Sequence, residues 1–115
     1  MGKRGNYKEG LDVILLGEAV PRGMYVKAKL IGIMLMKDNG EIDDKLLAVT
    51  EGSVFENINK ISELQSQFPG TLSILKTWFT NYKGVGEDMK INGFAEKEKA
   101  EKILNNAIKD YKKYN

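Results

Sequence analysis

Apolar positions in the first half of the chain follow the patterns of β-strands. Residues 11–16 form an apolar run that only Asp12 interrupts, which predicts a buried strand. Residues 25–36 begin with alternating apolar and polar positions and then become continuously apolar, as central strands do. An Asn-Gly pair at 39–40 is a strong hairpin signal, and a further strand is predicted at 45–50. The first half therefore reads as a β-meander.

The second half of the chain changes to the period of an α-helix. Its pattern predicts a short helix at 56–65, a helix at 71–83, a strand at 88–94 and an amphipathic helix at 95–114. The helix at 71–83 is expected to be capped by Thr71 and to end at Gly84. One predicted core stripe runs along it, made of Leu72, Leu75, Trp78, Phe79 and Tyr82.

Together these elements predict a single domain, residues 1–115, of the α+β class and mainly β. The expected architecture is an OB-like small β-barrel with the C-terminal helices packed at one side. A chain of 115 residues can bury one modest core. The predicted strands leave open sheet edges, and one more hairpin would normally close them, so we expect an incomplete barrel.

Composition narrows the chemistry. The chain contains no cysteine and no histidine, which excludes thiolate and imidazole as nucleophile, base or metal ligand. Any bound metal must then be a hard cation held by oxygen, such as Mg²⁺, Mn²⁺ or Ca²⁺. A net charge of +2 indicates neither a nucleic-acid groove nor a membrane-binding face. No targeting segment is recognisable at the start of the sequence, and we expect a cytoplasmic protein.

Carboxylates are concentrated around the predicted hairpin turn. Four of them fall within seven residues: Asp38, Glu41, Asp43 and Asp44. If Asp12, Asp38 and Asp43 converge on one face, their mutual repulsion would favour a divalent cation, and Mg²⁺ suits one or two carboxylates with waters and phosphate. The alternative is that the hairpin tip is simply solvated, and that Asp12 faces outward at the start of its strand.

Tyr82 and Lys83 close the predicted helix and also have a purely structural interpretation. Tyr82 continues the core stripe, and Lys83 favours the negative end of the helix dipole.

Several segments, in order, resemble the soluble (family I) inorganic pyrophosphatases. Residues 11–15 look like the L-D-V-L-V strand of the family, and residues 32–49 resemble its most recognisable block. Residues 78–83 look like its F-F-x-x-Y-K helix end, and residues 109–113 match its usual tail. The resemblance runs from about residue 6 to the end and corresponds to the C-terminal two-thirds of a pyrophosphatase.

The resemblance implies hydrolysis of diphosphate to two phosphates with Mg²⁺, in a homo-oligomer. It implies three metal ligands, Asp12, Asp38 and Asp43. It also implies three side chains that contact phosphate oxygens, Lys45, Tyr82 and Lys83, with Glu9 and Lys45 as the catalytic residues.

The chain departs from the family pattern before its first strand. Tyr7 replaces the first metal-binding Asp, and Glu9 replaces the Asp that helps deprotonate the attacking water. The N-terminal portion of the family pattern has no counterpart, so we expect an N-terminally truncated pyrophosphatase with poor or no activity of this chain alone. The alternative function is a non-catalytic module that binds metal or phosphate, or that mediates oligomerisation.

Overall fold

A single mixed sheet with helices packed on it forms the core. The computed structural model describes residues 12–17 and 27–113, so Tyr7 and Glu9 lie outside the described residues. Within these ranges the sheet contains five strands: β1 (Asp12–Leu16), β2 (Ala28–Asp38), β3 (Glu41–Ile42), β4 (Lys45–Thr50) and β5 (Met89–Glu96). The same part of the chain forms three helices: α1 (Ile61–Gln67), α2 (Thr71–Asn81) and α3 (Lys97–Lys113). No helix within the described ranges is both long and apolar enough to cross a membrane.

Strand β2 is the centre of the sheet. β5 pairs with it in antiparallel fashion along one edge, and β4 and the short β3 pair with it along the other. β1 lies parallel to β4 at the outside, so the prediction of a simple meander was wrong. The α+β architecture is confirmed, and in the described residues the sheet is open and does not close into a barrel.

Strand β1 is half exposed because it is the outermost of the described strands. Val13 and Leu15 are 50% and 42% exposed, whereas Leu16 is buried. The predicted strand is confirmed, but the expectation that it is buried was wrong, since most of its residues are at least partly exposed. A run of apolar residues cannot distinguish a central strand from an outer one.

One face of the sheet packs against α1 and α2. Its main core cluster joins strand residues such as Leu47 and Val49 to Ile61 and Leu64 of α1. Gly32 of β2 permits the close approach, since a Cβ there would lie 2.3 Å from a side-chain carbon of Ile61 and 2.6 Å from the Ala95 carbonyl oxygen. Glycine is therefore required for α1 to reach the sheet.

The opposite face of the sheet packs against α3. Ile33 and Leu46 from the strands meet Ala100, with Ile103 and Leu104 packed around them. The helices thus lie on both faces of the sheet, rather than together at one side as predicted.

Helix α1 begins later than the predicted position 56. Backbone hydrogen bonds fold residues 50–58 into successive turns, and the helix starts only at Ile61. Glu96 then accepts hydrogen bonds from the first two helical amides, Ile61 N–H (2.8 Å) and Ser62 N–H (3.2 Å). A carboxylate at a helix start satisfies donors that have no partner within the helix.

Helix α2 occupies the predicted place but differs in its start and its buried face. Its N-cap is Gly70, so the predicted Thr71 cap was wrong. The stripe packed on the sheet side is Leu72, Leu75 and Phe79. Trp78 and Tyr82 are 57% and 42% exposed, and assigning them to the core was wrong. Apolar residues of α2 occupy two stripes, and only one of them meets the sheet.

Candidate functional site

The hairpin turn after β2 fixes the position of Asp38. Asn39 and Gly40 have φ of 53° and 87°, as the predicted Asn-Gly turn requires. The Asn39 side chain donates to Asp38 Oδ1 (2.9 Å) and to Glu87 Oε1 (3.0 Å), and its oxygen accepts from the Asp88 amide (3.0 Å). One asparagine therefore joins the end of β2 to the loop before β5 and orients the Asp38 carboxylate.

Strand register places the predicted site residues on one face of the sheet. Asp12 is opposite Lys45, and Lys45 is opposite Met34, so these three side chains share a face. Asp38 follows Met34 by four residues along β2 and therefore points the same way. Asp43 reaches the same face, since its carboxylate contacts the Lys45 ammonium. It is also the face that α2 covers.

Lys45 joins two of the predicted metal ligands. Its Nζ donates to Asp12 Oδ2 at 2.6 Å and to Asp43 Oδ1 at 3.0 Å. The side chains of Lys45 and Asp43 are each 8% exposed, whereas that of Asp12 is 65% exposed. The result is a buried ion pair whose third member lies at the surface. Such a pair is stable only while its members compensate one another.

The environment of Lys45 keeps its ammonium charged. Burial by itself would lower the pKa of Lys45, but the hydrogen bonds to Asp12 and Asp43 and the charges of both carboxylates outweigh it and raise the pKa. The lysine is therefore a permanent cation at neutral pH, which is the form that attracts phosphate oxygens.

A second ion pair lies between the hairpin turn and the end of α2. Lys83 Nζ donates to Asp38 Oδ2 at 2.6 Å, and the Asp38 side chain is only 2% exposed. Lys83 lies in the turn that follows α2, where the Gly84 amide donates to the Asn81 carbonyl oxygen (3.0 Å). Asp38 also engages Asn39, so its charge is held by at least two neighbours.

Asp44 serves a different purpose from Asp43. Its Oδ1 accepts the backbone N–H of Met36 (3.0 Å), so it ties the chain between β3 and β4 to β2. Burial raises the pKa of Asp44; the Met36 hydrogen bond and the charge of Lys99 lower it, and the charge of Asp43 raises it further. The two neighbouring carboxylates thus have different partners, the Met36 amide for Asp44 and the Lys45 ammonium for Asp43.

Tyr82 and Trp78 form an exposed aromatic platform beside Lys83. The two rings are stacked, with centroids 5.2 Å apart and planes inclined by 7°. Trp78 also contacts the partly buried Phe79 edge-on at 4.7 Å. Because Tyr82 is exposed, its side chain can contact a solute. A tyrosine buried in the core, as predicted, could not do so.

The donors present fit one divalent cation in part. Asp12 and Asp43 both direct an oxygen at the Lys45 ammonium. A metal cation held by these two carboxylates would occupy the same region. Mg²⁺ is commonly bound by one or two carboxylates, with water and phosphate completing its six ligands. Within residues 12–17 and 27–113, however, no three acidic side chains form a group that could hold a metal. Asp38 is engaged with Lys83 and Asn39 instead.

Sequence reasoning missed Asn39 as a positioning residue. The Asn-Gly pair was interpreted only as a turn signal, although asparagine is also a hydrogen-bonding side chain. It also missed the pairing of each candidate metal ligand with a candidate phosphate-binding lysine. The i, i+2 spacing of Asp43 and Lys45 was the available signal for one of these pairs.

Comparison with known proteins identifies relatives of the chain. The family model of inorganic pyrophosphatase matches residues 6–112. The inorganic pyrophosphatase of Helicobacter pylori strain J99 is 32% identical over 110 residues, which are 93% of this chain and 64% of that protein. A probable inorganic pyrophosphatase of Plasmodium falciparum is 36% identical over 84 residues, 71% of this chain and 22% of that protein.

Solved structures give the same result for the fold. The type I inorganic pyrophosphatase of P. falciparum superposes with a TM-score of 0.81 at 28% identity, covering 90% of this chain and 36% of that one. The H. pylori inorganic pyrophosphatase gives 0.79 at 31% identity, covering 90% and 63%. This chain spans between about a fifth and two thirds of the length of these relatives.

Proposed function

Because this chain belongs to the inorganic pyrophosphatase family, we propose that it acts on diphosphate, hydrolysing it to two phosphates with Mg²⁺. The observation that supports this most directly is the Lys45 centre, in which two carboxylates and a lysine meet on a sheet face that also carries Asp38 and Lys83. Diphosphate chemistry needs a divalent cation and several cationic or hydrogen-bond donors close together. This region offers carboxylates for the cation and two ammonium groups for the phosphates.

The carboxylates are proposed to hold the metal. Asp12 and Asp43 each direct one oxygen at the Lys45 ammonium, at 2.6 and 3.0 Å, and Asp38 is assigned as a further ligand on the family resemblance. When bound, Mg²⁺ would neutralise charge on diphosphate and lower the pKa of a bound water. Asn39 keeps the Asp38 carboxylate in place from the turn. Asp44 serves no metal in this proposal, because its oxygen is committed to the Met36 amide.

The basic and aromatic side chains are proposed to hold phosphate. Lys45 and Lys83 each provide an ammonium, and the Tyr82 hydroxyl provides a donor at the exposed end of α2. Ammonium groups that carry a full charge stabilise the negative charge that develops on phosphate oxygens. Glu9 is proposed to assist the attacking water, on the resemblance alone.

A second candidate function is binding of magnesium and phosphate without efficient turnover. Two sequence observations favour it, namely Tyr7 in place of a metal-binding Asp and the longer Glu9 in place of an Asp. Loss of transition-state interactions costs about tenfold in rate for each 1.4 kcal/mol. The two candidates share the same site and differ in rate.

Phosphate release from magnesium diphosphate by the purified chain tests this proposal. Asp43→Asn should abolish any release, because it removes a buried carboxylate from the Lys45 centre. Glu41→Gln is the matched control, since Glu41 is an exposed carboxylate of the same hairpin and contacts none of the site residues in the bonds described. Release lost in the first variant and kept in the second supports hydrolysis. Release equal in all three proteins would refute it, and none in any of them would favour the binding function.

We also propose, on the family resemblance, that the protein forms a homo-oligomer and works in the cytoplasm. Exposed Ile74 and Trp78 on α2 leave apolar surface that association with a second copy would bury. Sedimentation velocity over a range of concentrations checks the assembly, and fractionation of cells checks the location. A monomer at every concentration would refute the proposed homo-oligomer. Recovery of the protein with the membrane fraction would refute the proposed cytoplasmic location.

A further inference from the structure

Lys45 occupies the place between two carboxylates that a divalent cation would need. Its Nζ is 2.6 Å from Asp12 Oδ2 and 3.0 Å from Asp43 Oδ1, and its side chain is almost entirely buried. Each of these two oxygens therefore accepts a hydrogen bond from the same ammonium. A cation bound by these two oxygens must compete with Lys45 for them.

We propose that Lys45 is an internal counter-ion of the Asp12–Asp43 pair, and that a divalent cation binds there only as the lysine leaves. The inference rests on the proposed function in one respect, the choice of Mg²⁺ as the cation. It goes further in giving Lys45 two alternative positions, one on the carboxylates and one directed towards phosphate. Binding of the metal and release of the phosphate-binding lysine then become one event.

Charge and burial make the exchange necessary. Without Lys45, the buried Asp43 carboxylate would lie close to Asp12 with no cation between them, and two like charges there repel. With both Lys45 and Mg²⁺ on the same oxygens, two cations would repel at a few ångströms. Mg²⁺ alone balances the two carboxylate charges, so the ammonium is no longer needed between them once the metal is bound.

The surroundings of Lys45 allow the exchange. Asp12 is 65% exposed, so solvent and a hydrated ion can reach the pair from its side. A lysine has a flexible four-carbon stem and three rotatable donors, which lets the ammonium move without moving β4. Asp38 and Lys83 also pair a buried carboxylate with a lysine, but there the lysine is the more exposed member.

Magnesium binding by Lys45→Met is the first test. Methionine keeps the apolar stem and removes the competing charge, so Mg²⁺ measured by calorimetry without diphosphate should bind about ten- to a hundredfold more tightly than to the original chain. Lys37→Met is the matched control, because Lys37 is exposed on the opposite face of β2. The affinity of this variant for Mg²⁺ should equal that of the original chain. Affinity in Lys45→Met equal to or weaker than that of the original chain would overturn the proposal.

Labelling of lysines in the unaltered protein decides the matter even if Lys45→Met does not fold. Reaction with an amine reagent, read by mass spectrometry, should be slow at the buried Lys45 without metal and faster with Mg²⁺, with Lys37 constant. Reactivity of Lys45 that is unchanged at saturating Mg²⁺, or an absence of Mg²⁺ binding by calorimetry, would overturn the proposal. Phosphate release measured on the same samples is a separate readout, so loss of hydrolysis with metal exchange intact would refute only the proposed function.

Discussion

Removing Lys45 should destabilise the metal-free protein mainly by stranding a buried charge. In Lys45→Met, Asp43 is left 8% exposed without its ammonium partner. Removal of one member of a buried pair typically costs about 3–5 kcal/mol. Because the third member, Asp12, lies at the surface where water screens it, the lower end of that range, about 3 kcal/mol, is expected here.

Combining Lys45→Met with Asp43→Asn measures how far the two residues depend on each other. Asp43→Asn alone leaves Lys45 with Asp12 and an amide oxygen, so it should cost about 1–2 kcal/mol. In the double variant the stranded charge is gone, and its cost should fall short of the sum of the single costs by about 1–3 kcal/mol. Asp12→Asn, which alters the exposed member, should cost at most about 1 kcal/mol.

Urea unfolding in a chelating buffer measures the stability of the four variants and of the original protein. Free energies of unfolding follow from the transition midpoints, provided that the slopes agree among variants. Single costs that simply add in the double variant would refute the reasoning, since they would show that Lys45 and Asp43 do not depend on one another. A cost for Asp12→Asn as large as that for Asp43→Asn would refute the part assigned to burial.

Two further predictions concern the frame around the site. Gly32→Ala should destabilise the fold by about 1–3 kcal/mol, because its Cβ would overlap the Ile61 side chain and the Ala95 carbonyl oxygen. Gly52→Ala is the control for backbone strain, since Gly52 lies in open space and has a positive φ. Equal losses of stability in urea would contradict the packing argument. Asp44→Asn should raise the melting temperature at pH 7. Burial raises the pKa of Asp44 in the folded protein above its ordinary value of 3.8. Ionisation of Asp44 therefore costs stability as the pH rises from 3.8 through the folded-state pKa. The amide oxygen still accepts from Met36, and the gain should vanish below pH 3.8; a gain that persists in acid would contradict this explanation.

Local chemistry made several features predictable from the sequence. The Asn39–Gly40 turn follows from backbone conformations that few other residues adopt, and the structure has it at the predicted place. The different partners of Asp43 and Asp44 agree with the alternation of side chains along an extended chain. Motif resemblance selected Lys45 and Lys83, which proved to lie beside the candidate carboxylates.

Long-range arrangement set the limits of that prediction. Nothing in residues 11–16 states that β1 pairs with β4 in parallel, so its outer position and its exposed Val13 were not foreseen. Helix α2 offers apolar side chains on two stripes, and only packing on the sheet selects Phe79 over Trp78 for burial. The Lys83–Asp38 pair joins residues 45 positions apart, which no spacing rule connects.

The central claim, a magnesium-dependent diphosphate site beside Tyr82 and Lys83, is tested most directly by binding of a non-hydrolysable diphosphate analogue. Trp78 is the only tryptophan and stacks on Tyr82, so its fluorescence should report occupancy. Titration with imidodiphosphate should give a saturable change that requires Mg²⁺ and is lost in Lys83→Met but not in Lys37→Met. A saturable change of equal size without Mg²⁺, or no binding by fluorescence and calorimetry with Mg²⁺ present, would contradict the claim.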